Sequence, residues 1–168
     1  MLSKVRAARP DLALTVSAST RSPRPGEKDG VQYYFLTNEE FGRRVDAGEF
    51  LEWADVHGHR YGTLNSEVDR LLGLGHSVVL EIDVQGALQV RDIRPDAVLV
   101  FIEPPSYEVL EERLRGRGTE DEASLKLRLA NARNEMGYAS SYDARVVNDD
   151  LEASAKELLA TFESFESN

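Results

Sequence analysis

Ser77-Val78-Val79-Leu80-Glu81-Ile82-Asp83 is an apolar run that ends in two carboxylates, with Gly86 and a helix-like segment to Ile93 directly behind it. A run of this kind suits a strand buried on both faces, and the helix that follows points to a chain built of alternating strands and helices. Downstream the pattern repeats. Residues 97–102 form a second continuous apolar run stopped by Pro104-Pro105, and Ser106 stands where it caps a helix carrying Leu110 and Leu114. Thr119-x-x-Glu122 has the form of a capping box opening a longer helix to about Tyr138. Arg145-Val146-Val147 gives one more strand, and residues 151–165 a closing amphipathic helix. Fully apolar strands between helices predict an α/β fold with a parallel sheet covered on both faces.

Upstream the texture differs. Residues 3–9 have helical composition and end before Pro10, and residues 12–17 read as a short buried strand. Between 18 and 75 the pieces are shorter: 31–36 and 50–56 are strand-like, and Thr37-x-x-Glu40 opens a helix through Phe41 and Val45 that ends near Gly48. Thr63 or Asn65 is placed to cap a further helix carrying Leu64, Val68, Leu71 and Leu72. This predicts a compact sub-domain with mixed strands.

The 168 residues contain no cysteine, which excludes thiolate zinc sites and fits a reducing compartment. No apolar run approaches the length of a membrane span, and no apolar region follows the basic residues near Met1, so a cytoplasmic protein away from membranes is expected. A net charge of -10 disfavours a general nucleic-acid surface, which needs a basic footprint. An anionic ligand must therefore be met locally, by clustered cations.

In open α/β sheets ligands sit beyond the carboxyl ends of the strands, where Ser17, Glu81, Asp83 and Asn148 fall. Glu81 and Asp83, two residues apart, would share one face of an extended strand. They read either as acids that hold a nucleotide's magnesium, directly or through water, or as turn and helix-capping acids. Thr20-Arg21-Ser22-Pro23-Arg24-Pro25-Gly26-Glu27 puts two permanently charged guanidinium groups on a proline-stiffened segment, with Tyr33 nearby. That is a phosphate socket or a solvated loop. Arg115-Gly116-Arg117, with Arg128 beyond, suits cations that close over a transferring phosphoryl group, or a solvated turn between helices. Glu52, beside Trp53, either accepts from a base with adjacent N–H donors, as guanine has at N1 and N2, or faces water from an edge strand. His57-x-His59 beside Asp55 reads as a polar turn.

Four segments, Thr20-Arg21-x-Pro23-Arg24-x-Gly26-Glu27, Glu81-x-Asp83-x-Gln85-Gly86, Arg115-Gly116-Arg117-Gly118 and Val147-Asn148-Asp149-Asp150, together resemble the guanylate kinase family, and the resemblance runs nearly end to end. It implies a P-loop kinase core from residues 1–17 and 76–168, a short lid at about 115–127, and an inserted mixed α/β sub-domain at 18–75 that binds GMP. It also implies phosphoryl transfer from ATP to GMP, giving ADP and GDP, with Mg2+ accompanying ATP. Carried over by position, Arg21, Arg24, Tyr33 and Tyr61 hold the GMP phosphate, and Glu52 reads the guanine with Ser17 and Thr63 nearby. Glu81 and Asp83 lie at the acceptor, and Asp83 also at the magnesium. Arg117 and Arg128, with Arg21, neutralise the transferring phosphate, and Asn148 lies by the adenine. Glu81 stands where many members carry aspartate.

The family opens with a strand and a loop of the form G-x-x-x-x-G-K-[ST], which cradles the ATP phosphates. No glycine here is followed by lysine. The expectation is a chain that begins behind that loop, truncated and inactive as written, with strand edges left open. The alternative is a non-catalytic guanylate-kinase-like module that binds GMP or a protein partner. Oligomeric state has no signal in the sequence.

Overall fold

Pro10 sets the first boundary. Helix α1 (Leu2–Ala8) stops just ahead of it, where the chain is steered out of helical geometry. The computed structural model describes residues 1–56, 58–116 and 122–167, and these fall into two compact units.

The unit Arg9–Ala97 holds β1 (Leu12–Leu14), β2 (Ala18–Ser19), β3 (Tyr34–Phe35), α2 (Asn38–Asp46), β4 (Phe50–Val56), β5 (His59–Leu64), α3 (Asn65–Gly73), β6 (Ser77–Val79) and α4 (Val84–Ile93). β1 and β6 pair in parallel, and a four-stranded mixed sheet runs in the order β3-β2-β5-β4. Leu51, Val68 and Val90 form its buried core, with Val78, Leu80, Ile82 and Ala97 packed around them. α2 begins as expected, with Thr37 Oγ1 accepting from Glu40 N. Its Phe41 stacks on Phe50 at 4.4 Å and meets Trp53 edge-on, so this helix covers one face of the mixed sheet.

The second unit joins Met1–Ala8 to Val98–Asn168. It contains β7 (Val100–Glu103), α5 (Tyr107–Gly116), α6 (Glu122–Met136), a 3-10 turn at Ala139–Ser141, β8 (Ala144–Val147) and α7 (Leu151–Glu166). β7 and β8 are parallel, joined by the helical crossover that parallel strands require. Val146 and Leu158 are fully buried between β8 and α7, and Lys4 of α1 pairs with Glu152 of α7. Asp150 caps α7, accepting from Glu152 N and Ala153 N. Among the described residues no helix is long and apolar enough to cross a membrane.

The parallel strands and covering helices of the sequence reading are present: β1–β6 and β2–β3 pair in parallel in one unit, and β7–β8 in the other. Local details differ. Of the strand expected at 31–36 only Tyr34–Phe35 forms, because Val31 N and Gln32 N fold back onto Lys28 O and Gly30 takes a φ of 72°, leaving Val31 exposed. Neither Thr63 nor Asn65 caps α3. Its first residue follows directly from β5, Thr63 stays in that strand, and the Asn65 amide donates to Gly48 O. The strand expected to run to Asp83 ends at Val79. Thr119, His57 and the Arg117-Gly118 turn lie outside the described residues.

Candidate functional site

The mixed sheet carries a carboxylate where a regular strand would not put one. Register shifts between Phe50 and Glu52, so a bulge there turns both Leu51 and Glu52 inward instead of alternating them. Leu51 joins the core; Glu52 is only 4% exposed although β4 is the edge strand. Its cross-strand partner is Thr63, so the two share a sheet face, and Tyr61, two residues along β5, belongs to that face as well. The face opposite is crowded by Phe50 and Trp53. A side-chain carbon at Gly62 would come within 2.8 Å of both and 2.7 Å of Glu52 O, which is why the residue between Tyr61 and Thr63 has to be small.

The Glu52 carboxylate rests on the first turn of α4. A Cβ at Gly86 would lie 2.5 Å from Glu52 Oε2, so the absence of a side chain at 86 makes the room. Burial pushes the Glu52 carboxyl above its ordinary value, opposed by the neighbouring Thr63 and reinforced by the charge of Asp83. Thr63 Oγ1 is itself buried without a full hydrogen-bond partner. A buried acceptor beside an unsatisfied hydroxyl is equipped to take up adjacent N–H donors from a ligand.

Arg21 follows β2 and anchors a second cluster. Its guanidinium lies over the rings of Tyr33, at 5.0 Å, and Phe35, at 5.6 Å, and Tyr33 meets Tyr61 edge-on at 6.0 Å. The fork is engaged bidentately by Glu27, at 2.8 and 2.9 Å, while Ser22 O takes a further bond. Arg24-Pro25-Gly26-Glu27 forms a turn closed by Glu27 N to Arg24 O. Proline precedes a glycine at φ 88°, the pattern of a type II turn. The turn folds Glu27 back so that it also accepts from Arg24 N. The Arg21 hydrogen bonds hold the Glu27 carboxyl down at about 2, and the same pair pushes Arg21 further above its ordinary range, with Tyr61 adding to it. The Arg24 side chain stands exposed. Arg21, Tyr33 and Tyr61 are thus assembled into one aromatic-walled corner, in which Glu27 balances the Arg21 charge.

Glu67 of α3 ties these strands together. Its buried carboxylate accepts from Val16 N, Tyr34 OH and the Arg70 fork. Burial pushes it up, but Arg70 and Val16 N outweigh that and hold it below its ordinary value. Ser17, next to Val16, is half-buried, and its carbonyl accepts from Tyr34 N.

At the strand end, Asp83 caps α4 through Gly86 N at 2.9 Å and takes a bond from Gln85 Nε2. Because β6 ends at Val79, Glu81 and Asp83 do not share a strand face; Glu81 stands exposed in the connection. In the other unit Asn148 follows β8, its carbonyl held by Arg113 at 2.6 Å, and Arg128 sits half-buried on α6. Arg117 and residues 118–121 of the expected lid lie outside the described residues, while Arg115 and Gly116 end α5. Among the described residues no group of three or more histidine or acidic side chains gathers as a metal site.

Glu27, Gly86 and Gln89 were not singled out as site residues by the sequence reading. Glu27 and Gly86 lie inside the motifs quoted for it, but their partners Arg21 and Glu52 become visible only in three dimensions.

A model of the guanylate kinase family matches residues 4–165 of this chain. The chain belongs to the guanylate kinase family. It is 46% identical over 151 residues to the guanylate kinase of Fusobacterium nucleatum subsp. nucleatum, covering 90% of this chain and 82% of that protein. With the guanylate kinase of Thermosynechococcus vestitus the identity is 49% over 154 residues, 92% and 81% of the two chains. The crystal structure of guanylate kinase from Anaplasma phagocytophilum superposes with a TM-score of 0.78 at 33% identity, covering 96% of this chain and 80% of that one. The chain is therefore a member of a nucleotide-binding phosphotransferase family with an α/β fold.

Proposed function

We propose that this chain binds GMP and serves phosphoryl transfer from ATP to GMP, giving ADP and GDP in the cytoplasm. The observation that carries the reading is the Glu52 carboxylate, buried on the same sheet face as Tyr61, which adjoins Arg21. Guanine offers two adjacent N–H donors, at N1 and N2, that a single carboxylate accepts together. Adenine offers an acceptor at N1 and no donor at C2, so AMP would leave the buried oxygens facing a lone pair. A site built to pair such groups rejects the ligand that lacks them by orders of magnitude, about 10⁴-fold in favourable cases. Thr63 and Ser17 lie beside the base in this reading, and Arg21, Arg24, Tyr33 and Tyr61 hold the phosphate.

The acceptor phosphate attacks the ATP γ-phosphoryl in line, without a covalent intermediate, so the chain contributes position and charge. Arg21, Arg117 and Arg128 neutralise the transferring group, and Asn148 lies by the adenine. Magnesium is held in such sites by one or two carboxylates plus substrate phosphates, and the half-buried Asp83, with lone pairs left beyond its capping bonds, fits that role with Glu81 near it. Bound there, the ion would screen the phosphate charges. The 168 residues contain no glycine followed by lysine, so a Walker-type lysine is not among them.

Trp53, the single tryptophan, is adjacent to Glu52 and reports binding directly. Fluorescence titration should show saturable binding of GMP and at least 100-fold weaker binding of AMP, alongside a coupled assay for ATP-dependent GDP formation. Equal affinity for the two nucleotides would overturn the reading of Glu52.

A further inference from the structure

β4 is the edge of its sheet, so the backbone groups that point away from β5 have no strand to pair with. At Trp53 one side chain fills that place. Gln89 of α4 accepts from Trp53 N through Oε1 at 3.1 Å and donates through Nε2 to Trp53 O at 2.8 Å, the two-point bridge a neighbouring strand would make. Nε2 also reaches Gln85 O at 3.3 Å, one turn back on the same helix. The Trp53 nitrogen belongs to the peptide that joins it to Glu52, so Gln89 holds the main chain at Glu52 itself.

Gly86 lies one turn earlier on α4 and meets the Glu52 carboxylate, while the Asp83 cap fixes where the helix begins. α4 therefore holds the main chain at Glu52 through Gln89 and leaves room for its carboxylate at Gly86. The grip falls beside the bulge at Phe50/Glu52, where the ladder to β5 is irregular and holds the chain least. The side-chain amide offers a donor and an acceptor from one planar end, whereas an ionised glutamate only accepts and methionine has no donor, so neither makes both bonds.

We infer that Gln89 is a positioning residue for guanine recognition: its amide substitutes for an absent strand on the edge of β4 and fixes where the Glu52 carboxylate presents itself to the base. The inference rests on the reading of Glu52 as the guanine acceptor. Its specific consequence is selectivity. IMP lacks the N2 donor, so the preference for GMP over IMP measures how well the second carboxylate oxygen is placed.

The test is calorimetric titration of wild type, Gln89→Met and Gln89→Asn with GMP and IMP, with thermal melts in parallel. Methionine keeps the length without polar ends; asparagine keeps the amide but falls a methylene short of Trp53. Both variants should bind GMP about tenfold more weakly and IMP by a smaller factor, since IMP loses only its N1 pairing, so the GMP:IMP ratio narrows. A role in folding alone would shift the melting midpoint and leave that ratio at its wild-type value, and such a result in either folded variant overturns the inference. Wild-type protein that binds GMP no better than IMP removes the reading of Glu52, and the inference with it. Selective wild type with selective variants removes the inference alone.

Discussion

Gly86→Ala separates the stability of α4 from the placement of the carboxylate beside it. Gly86 is the third residue of the helix, in ordinary helical geometry, and alanine at such a position gains up to about 1 kcal/mol of helix propensity. The new methyl would stand 2.5 Å from Glu52 Oε2, 3.1 Å from Glu52 Cδ and 3.4 Å from Ile82 Cβ. The last contact is tolerable. The first is not, and an ordinary separation of about 3.5 Å requires the carboxylate to retreat by roughly 1 Å. Because the offending atom is the end of a side chain, the backbone need not move, and the propensity gain offsets part of the strain. The melting midpoint should stay within about 3 °C of wild type, equivalent to less than about 1 kcal/mol for a chain of this size. A displacement of that order in a group that pairs with two ligand donors costs about 10- to 100-fold in affinity. Titration of GMP against Trp53 fluorescence, beside a thermal melt, reads both quantities. A folded variant whose GMP affinity lies within twofold of wild type would refute the claim that the position of this carboxylate sets recognition. A collapse of the midpoint would instead show that β4 and α4 cannot accommodate even a methyl.

Three further outcomes are expected. Glu52 must be ionised to accept from guanine, and burial raises its pKa above the ordinary 4.5, so GMP affinity should be full above that raised value and decline as pH falls through it. In the same window the free protein changes oppositely, because the folded state holds more protons than the unfolded one and its stability falls as pH rises; Glu52→Gln should remove both dependences. Glu27 titrates near 4.5 unfolded and about 2 folded, so its contribution is complete above pH 4.5 and lost as pH falls toward 2. Melting midpoints taken from pH 5 downward should therefore drop more steeply for wild type than for Glu27→Gln. Asp150→Ala removes the cap of α7 and should cost about 1 kcal/mol, lowering the midpoint by about 2–4 °C, with GMP affinity unchanged in the same titration.

Local signals in the chain were legible where one segment contains its own cause. Pro10 ends α1, Thr37 sits at the start of α2, and the apolar run after Ala97 forms a parallel strand, because these outcomes depend on neighbours within a few residues. Arg21, Tyr33 and Tyr61 were gathered by resemblance, and the structure does bring them together. Where two causes compete the sequence was ambiguous. Asp83 could be a strand-end acid or a helix cap, and the early end of β6 makes it a cap, because the amides of α4 need an acceptor at that point.

Glu52 draws the line between the two kinds of information. By itself the sequence determined an acid beside Trp53 in an otherwise apolar segment, two arginines on a proline-stiffened loop, and the alternation of strands and helices that makes the α/β class. Only the tertiary structure decided that the acid faces inward. A bulge breaks the two-residue alternation at Leu51, and a helix more than thirty residues downstream supplies both the glycine that admits the carboxylate and the glutamine that holds its main chain. Burial of a charge is a property of everything packed around it, and no stretch of sequence contains that list of neighbours.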